Sequence, residues 1–199
     1  MKLEKRYRAY KKTLDILDKK NIPYVIGGGI AVIAYCNRKS TKDLDIYVKY
    51  GYEDNAISSL RGEGYDINEM PDVDWLSKAY YHGLIIDFII KNMGDILTTD
   101  ETIAHGRHLR RFGQNLFYMG PEDLILRKIM AMNSKRDDWY DAISVLSSTH
   151  EYFDWDFFIK ISKGYLDRAM SFILFVRSDK EHIIPIPDFV VKELAKGLK

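Results

Sequence analysis

The sequence predicts an α+β domain with a helical C-terminal part, and three observations carry that expectation. Short apolar runs of strand length, at Tyr24 to Ile26, Leu44 to Val48 and Leu84 to Ile90, fall in the first half of the chain. From Pro121 onward the apolar residues recur at helical spacing instead. At 199 residues the chain can bury a substantial core as one domain with a small helical appendage. Strands first and helices later is the order of an α+β protein.

Each element follows from local pattern. Leu3, Tyr7, Tyr10, Leu14 and Leu17 recur at three- and four-residue steps among basic residues, which predicts an amphipathic helix that Lys19, Lys20 and Asn21 terminate before Pro23. Tyr24 to Ile26 reads as a buried strand that runs into Gly27, Gly28 and Gly29, and the Ala-rich stretch Ile30 to Tyr35 reads as a helix. Leu44 to Val48 is the second expected strand, Asn55 to Leu60 a helix, Tyr65 to Asn68 a shorter strand and Leu84 to Ile90 an apolar strand around Asp87. Arg107 to Phe112 and Asn115 to Tyr118 flank a turn at Gly113 and read as a hairpin. Pro121 with Glu122 and Asp123 opens a helix carrying Leu124, Ile125, Ile129 and Met132 on one face. Trp139, Ala142, Ile143 and Leu146 mark the next, two more follow from Asp154, and the tail after Pro187 is again helical. The expected division is a core over residues 1–119 and a helical part over 120–199 packed on it.

Composition narrows the functional classes. Hydrophobic residues make up 46% and charged residues 30% of the chain, as in ordinary globular proteins. Thirty basic residues against twenty-nine acidic ones leave a net charge of +1, so any contact with nucleic acid or an anionic surface must be local. The single cysteine, Cys36, cannot form an internal disulfide, and neither a signal-like start nor a membrane-length apolar run is present; a cytoplasmic protein without membrane contact is expected.

Two acids sit where a buried strand should not have them. Asp43 and Asp45 alternate with Leu44 and Ile46, so both carboxylates emerge from one sheet face while the aliphatic residues take the other. Two like charges that close repel unless a cation lies between them, and hard oxygen ligands of this kind suit Mg²⁺ or Mn²⁺. A solvated sheet face would explain the pair equally well. Asp87 repeats the oddity within Leu-Ile-Ile-Asp-Phe-Ile-Ile, where an unpaired carboxylate would be costly. If its strand lies beside that of Asp45, the three acids converge. The glycines that follow a strand and open a helix present bare backbone N–H groups at a positive helix end, where a phosphate can dock. Together these parts describe a triphosphate held between backbone donors and a carboxylate-bound metal.

The arrangement resembles the DNA polymerase beta-type nucleotidyltransferase superfamily, whose signature is a Gly-Gly or Gly-Ser turn, a helix, Asp-hydrophobic-Asp on the next strand and a third acid on a later one. It is similar in particular to small bacterial and archaeal nucleotidyltransferase-like proteins, some of them toxins of toxin-antitoxin or abortive-infection pairs. Gly28, Gly29, Ala31, Thr41, Asp43 and Asp45 fall in register with their pattern, while Cys36 stands in place of a frequent glycine and Lys39 in place of the usual arginine, next to Arg38. The similarity spans about Tyr24 to Leu146. It implies a polymerase-beta-like mixed sheet flanked by helices and a metal-dependent transfer of a nucleoside monophosphate from a nucleoside triphosphate (NTP) to a hydroxyl acceptor.

The resemblance also implies roles. Asp43, Asp45 and Asp87 would be the catalytic acids and the ligands of two Mg²⁺ ions, with Asp87 completing the second metal site and helping to deprotonate the acceptor. Gly28, Gly29, Lys39 and Thr41 would contact the nucleotide, and Lys128 would reach the triphosphate unless its stem only packs on the core. The acceptor stays open between a protein hydroxyl, a tRNA end and a small molecule such as an aminoglycoside or lincosamide. An antitoxin partner follows from the toxin members alone, and a non-catalytic nucleotide-binding or partner-interaction member of the same fold is the alternative. Arg136, Asp137, Asp138 and Asp141 read as an ion-pair network between helices. His105 and His108, beside Arg107, Arg110 and Arg111, lack a third ligand for zinc and read as a basic landing strip or a solvated strand edge. Cys36 reads as core.

Overall fold

The computed structural model describes residues 3–36, 43–69, 75–92, 94–111, 113–133, 138–180 and 184–198. The chain divides into two compact units, Met1–Gly120 and Pro121–Lys199.

In the first unit the order is α1 (Leu3–Lys19), β1 (Tyr24–Ile26), α2 (Gly28–Cys36), β2 (Leu44–Val48), α3 (Glu53–Gly62), β3 (Asp66–Glu69), β4 (Leu76–Tyr81), β5 (Leu84–Ile89), the two-residue strands β6 (Lys91–Asn92) and β7 (Ile96–Leu97), α4 (Asp100–Ala104), β8 (Arg107–Arg111) and β9 (Gln114–Tyr118). Seven strands form one mixed sheet in the order β3-β4-β5-β2-β1-β9-β8, and β6 with β7 forms a small separate ribbon. Within the large sheet β2 runs parallel to β5 and β1 parallel to β9, and the remaining neighbours are antiparallel. This is the mixed sheet flanked by helices that the resemblance implies.

The core of this unit lies where the apolar runs place it. Val25 and Ile26 of β1, Leu44 and Ile46 of β2 and Ile86 of β5 are all at most 1% exposed. Tyr10, Leu14 and Leu17 bury the expected stripe of α1. Each fully buried aliphatic side chain contributes about 1.5–3 kcal/mol. In α2, Ile30 through Tyr35 are all buried, because this helix is apolar around its whole circumference and has no polar face to present.

Several elements go beyond the sequence expectation, among them the small ribbon of β6 and β7. β4 fills the gap between β3 and β5, and its Leu-Ser-Lys-Ala-Tyr-Tyr pattern is too polar to announce a strand that is paired on both sides. The turn joining it to β5 is His82-Gly83, with φ of 48° and 78° at its two residues, a two-residue hairpin of the type that matches strand twist. α4 has only five residues, too few for a periodic signal, and is started by the Thr99 hydroxyl accepting the Thr102 N–H at 3.3 Å. α3 also begins earlier than expected, at Glu53 and Asp54, whose charges suit a helix N-terminus.

The second unit is helical: α5 (Pro121–Ala131), α6 (Trp139–Thr149), α7 (Trp155–Ile161), α8 (Leu166–Ser178) and α9 (Asp188–Gly197). Ile125, Leu146, Phe158, Phe172, Val190 and Leu194 are its sealed centre. Glu122 is wholly buried there and accepts the Asp154 N–H at 2.8 Å, while the Asp154 carboxylate accepts the Phe157 N–H at 2.9 Å and starts α7. The acid in the first turn of α5 therefore fixes the entry of another helix. No helix among the described residues is long and apolar enough to cross a membrane.

The hairpin turn offers a clean test of backbone conformation. A Cβ at Gly83 would meet nothing within 4 Å, so Gly83→Ala should destabilise the protein by about 1 kcal/mol through its left-handed backbone alone. Urea unfolding should show the midpoint lowered at an unchanged slope.

Candidate functional site

The glycine turn and the first acids meet because of how β1 ends. Ile26 lies opposite Ile46, and the next N–H, that of Gly27, donates to the Asp45 carbonyl at 3.0 Å, so the ladder carries the chain to the level of Asp45 before it turns. Gly28 then adopts φ +55°, and a Cβ there would stand 1.8 Å from Asp45 Oδ2. Both conformation and space exclude any other residue. α2 starts at this point, with Ala31 donating the first helical hydrogen bond to the Gly27 carbonyl at 3.1 Å. The N–H groups of a helix's first turn have no partner within the helix, so the Asp45 carboxylate lies against a backbone able to bind an anion.

The third acid joins through the parallel pairing of β2 with β5. Asp45 and Asp87 are register partners, and on β4 the partner of Asp87 is Lys78. Register partners face the same side of a sheet, so Lys78, Asp87 and Asp45 form a row across three neighbouring strands that ends at the glycine turn. Asp43, two residues before Asp45 and just ahead of β2, is near enough for its charge to act on Lys78. Asp43 and Asp45 are both half-buried. Ile85, two residues from Asp87 on the same face, is 37% exposed, so this face opens to solvent.

Lys78 is the member of this row that sequence reasoning missed. Its ammonium donates to Asp87 Oδ1 at 2.6 Å, with the two side chains 28% and 15% exposed. Burial works against its charge, but the hydrogen bond and charge of Asp87, helped by Tyr80 and Asp43, hold the lysine above its ordinary value. The signal was present: counting back from the His82-Gly83 turn places Lys78 opposite Asp87, once that dipeptide is read as a hairpin.

Other candidates fall elsewhere. Lys39 and Thr41 lie outside the described residues, as do Arg38, Arg136 and Asp137. Lys128 belongs to the second unit and is 11% exposed; its ammonium donates to Asp138 and to Asp141, each at 2.8 Å. β8 is an edge strand on which Arg107, His108 and Arg110 are exposed, whereas Arg111 donates to the Ala34 carbonyl of α2 at 2.7 Å. Cys36 is half-buried and donates to the Val32 carbonyl, as a helix-terminal thiol does. A cavity of about 250 Å³ opens beside the start of β1, lined by Asp15, Asp18, Tyr24 and His108 among others, and thus at the end of that strand away from the glycines. Burial, then Asp18, pushes the Tyr24 hydroxyl far above its ordinary value, so it stays protonated.

Among the described residues no group of three or more His, Cys, Asp or Glu side chains is assembled to hold a metal ion. The carboxylate of Asp45, beside a glycine cradle that a Cβ would fill, with Asp43 two residues before it, fits Mg²⁺. That ion commonly takes one or two carboxylates and completes its shell with water and substrate phosphate.

Known proteins resemble the chain in family and in fold. The family model described as "Nucleotidyl transferase of unknown function (DUF2204)" matches residues 6–199. The solution structure of the antibiotic-resistance factor ANT(2″)-Ia is similar, with 14% identity, 88% of this chain and 98% of that chain covered, and a TM-score of 0.55. The crystal structure of ANT(2″)-Ia in complex with adenylyl-2″-tobramycin matches at 16% identity, over 84% of this chain and 97% of that chain, also with a TM-score of 0.55. The lincomycin-bound lincosamide antibiotic adenylyltransferase LnuA matches at 15% identity over 75% and 98% of the two chains, with a TM-score of 0.47. Among curated proteins none matches the sequence. At such identities the likeness to the ANT(2″)-Ia structures is one of fold.

The ion pairs of Lys128 give a test of its place in the second unit. Burial lowers and the hydrogen bonds to Asp138 and Asp141 raise its proton affinity, and the net effect lifts it above the ordinary 10.5. A group raised on folding stabilises fully below its unfolded value and loses that contribution as pH rises through the folded one. Lys128→Met should therefore cost about 3 kcal/mol at neutral pH, and its deficit against the unmodified protein should shrink only above 10.5. Paired urea titrations near pH 7 and in that alkaline range would read it.

Proposed function

The chain belongs to the nucleotidyl transferase family DUF2204, and from that premise we propose that it transfers a nucleoside monophosphate from an NTP to a hydroxyl acceptor in a metal-dependent reaction. The observation that carries this reading is the meeting of Asp45 with the Gly28 turn, which sets a carboxylate against a phosphate-binding backbone. Asp43 and Asp45 would hold Mg²⁺, or Mn²⁺ in its place. The ion supplies charge neutralisation for the phosphates and for the oxygen that leaves.

The chain's own residues do the rest. The N–H groups at Gly28 and Gly29 receive phosphate oxygens at the positive end of α2, and Lys39 and Thr41, on the segment between α2 and β2, are the further proposed nucleotide contacts. Asp87, the register partner of Asp45, would accept the proton of the acceptor hydroxyl. The acceptor oxygen then forms a bond to the α-phosphorus while the bond to the bridging oxygen breaks and pyrophosphate departs. Such a reaction asks the protein mainly for positioning and charge. ANT(2″)-Ia in complex with adenylyl-2″-tobramycin illustrates a small-molecule acceptor within this fold, and a small hydroxylated molecule is the acceptor class we favour over a protein or a tRNA end. No feature among the described residues supports an antitoxin partner.

Labelled NTP with Mg²⁺ and a panel of hydroxylated acceptors tests this reading. Asp43→Ala/Asp45→Ala should lower pyrophosphate release by roughly a hundredfold or more, and a chelator should do the same to the unmodified protein. Equal activity in the double variant would sink the proposal. Calorimetric binding of NTP without pyrophosphate release from any acceptor would instead favour a nucleotide-binding module.

A further inference from the structure

We propose that Lys78 is a built-in cation of the candidate site: its ammonium takes the second cationic place beside Asp87, so that the carboxylate row binds one divalent metal ion rather than two. This inference rests on the reading of Asp43, Asp45 and Asp87 as the nucleotidyl-transfer site.

The geometry points this way at three levels. Lys78 is not a surface lysine that happens to reach an acid. It is the register partner of Asp87 on β4, a strand paired on both sides, and the sheet aims its side chain along the same face as Asp87 and Asp45. The contact is short, at 2.6 Å from Nζ to Asp87 Oδ1, and both side chains are mostly buried. The charge bears on this too: the ammonium already answers one of the three carboxylates, so Asp87 has less need of a metal ion than an unpaired acid would have. A second divalent ion on Asp87 would have to share that carboxylate with a positive charge fixed by the sheet, at close range and away from full solvent screening. A lone metal on Asp43 and Asp45 would include the acid that lies beside the glycine cradle, Asp45, where phosphate would complete the coordination shell.

Lys78 is thus a positioning residue. It holds Asp87 in one orientation, and it lets the third acid face the acceptor without bridging to a metal. Two-metal sites place their ions about 3.5–4 Å apart, which paramagnetic Mn²⁺ reports directly through spin–spin coupling.

The test is Mn²⁺ electron paramagnetic resonance on the full chain saturated with α,β-methylene ATP, a readout that does not depend on turnover. The unmodified protein should bind about one Mn²⁺ per chain with no coupled signal. Lys78→Met should bind about two, with the coupled signal of a metal pair, and Lys78→Arg, which keeps the charge, should behave as the unmodified protein. A coupled pair in the unmodified protein overturns the inference without recourse to any variant. One uncoupled Mn²⁺ in both the unmodified protein and a folded Lys78→Met overturns the role of Lys78 and leaves the reading of the site standing. No bound Mn²⁺ in any of them removes that reading and the inference with it.

Discussion

The hydrogen-bonded ladder between β1 and β2 is the constraint on which the candidate site depends. β1 has three residues, and its partner places Ile26 against Ile46 and the Gly27 N–H on the Asp45 carbonyl. A slip of one residue in β2 would carry Leu44 and Ile46 off the buried face and Asp45 onto it, so burial of those aliphatic side chains pins the register. The same register leaves no room for a side chain at Gly28. A helix N-terminus, a left-handed glycine and a carboxylate are brought together by one packing requirement, and none of the three could be moved independently. Stability of the aliphatic core and position of the charged face are therefore a single property of this sheet.

The parallel pairing of β2 with β5 extends that property sideways. It brings Asp87 level with Asp45 without any local sequence link between them, across a separation of 42 residues. Two carboxylates held side by side repel, and at an effective dielectric near 20 two unit charges 4 Å apart interact by about 4 kcal/mol. The sheet answers part of this repulsion from within, by setting Lys78 next to Asp87. What remains is a concentration of negative charge at the Asp43 and Asp45 end, beside the anion-binding end of α2. A divalent cation with its phosphate ligands is the species whose charge and coordination suit both neighbours at once.

Much of this was legible in the amino-acid order, because it rests on local pattern. The alternation of Asp43 and Asp45 with Leu44 and Ile46 puts acids and aliphatics on opposite faces whatever else the chain does. The glycines after a short apolar strand announce a tight entry into a helix. Asp87 in its apolar run signals a carboxylate that must find company. What periodicity did not disclose was who that company would be, and only the His82-Gly83 turn held the clue. Lys78 lies on a strand whose composition, with Ser77, Lys78 and two tyrosines, fits neither periodicity, and which forms because both its edges find partners. Long-range pairing outweighed weak local preference there. The same holds for α4, whose five residues depend on the Thr99 cap rather than on a periodic face.

The two lysines held by acids show why an ion pair takes its meaning from its surroundings. Lys128 and Lys78 are each raised by neighbouring carboxylates against the pull of burial, and their contacts are nearly as short. Around Lys128, however, the acids are Asp138 and Asp141, the residue before α6 and one in its first turn, where negative charge already complements the helix dipole. That lysine ties the end of α5 to the start of α6 and completes a helical hairpin, much as buried Glu122 completes the entry to α7. Around Lys78 the next groups along the sheet are a second acid and a bare backbone turn able to hold an anion. An ammonium there does not finish a structural joint. It acts on the charge of the candidate site instead.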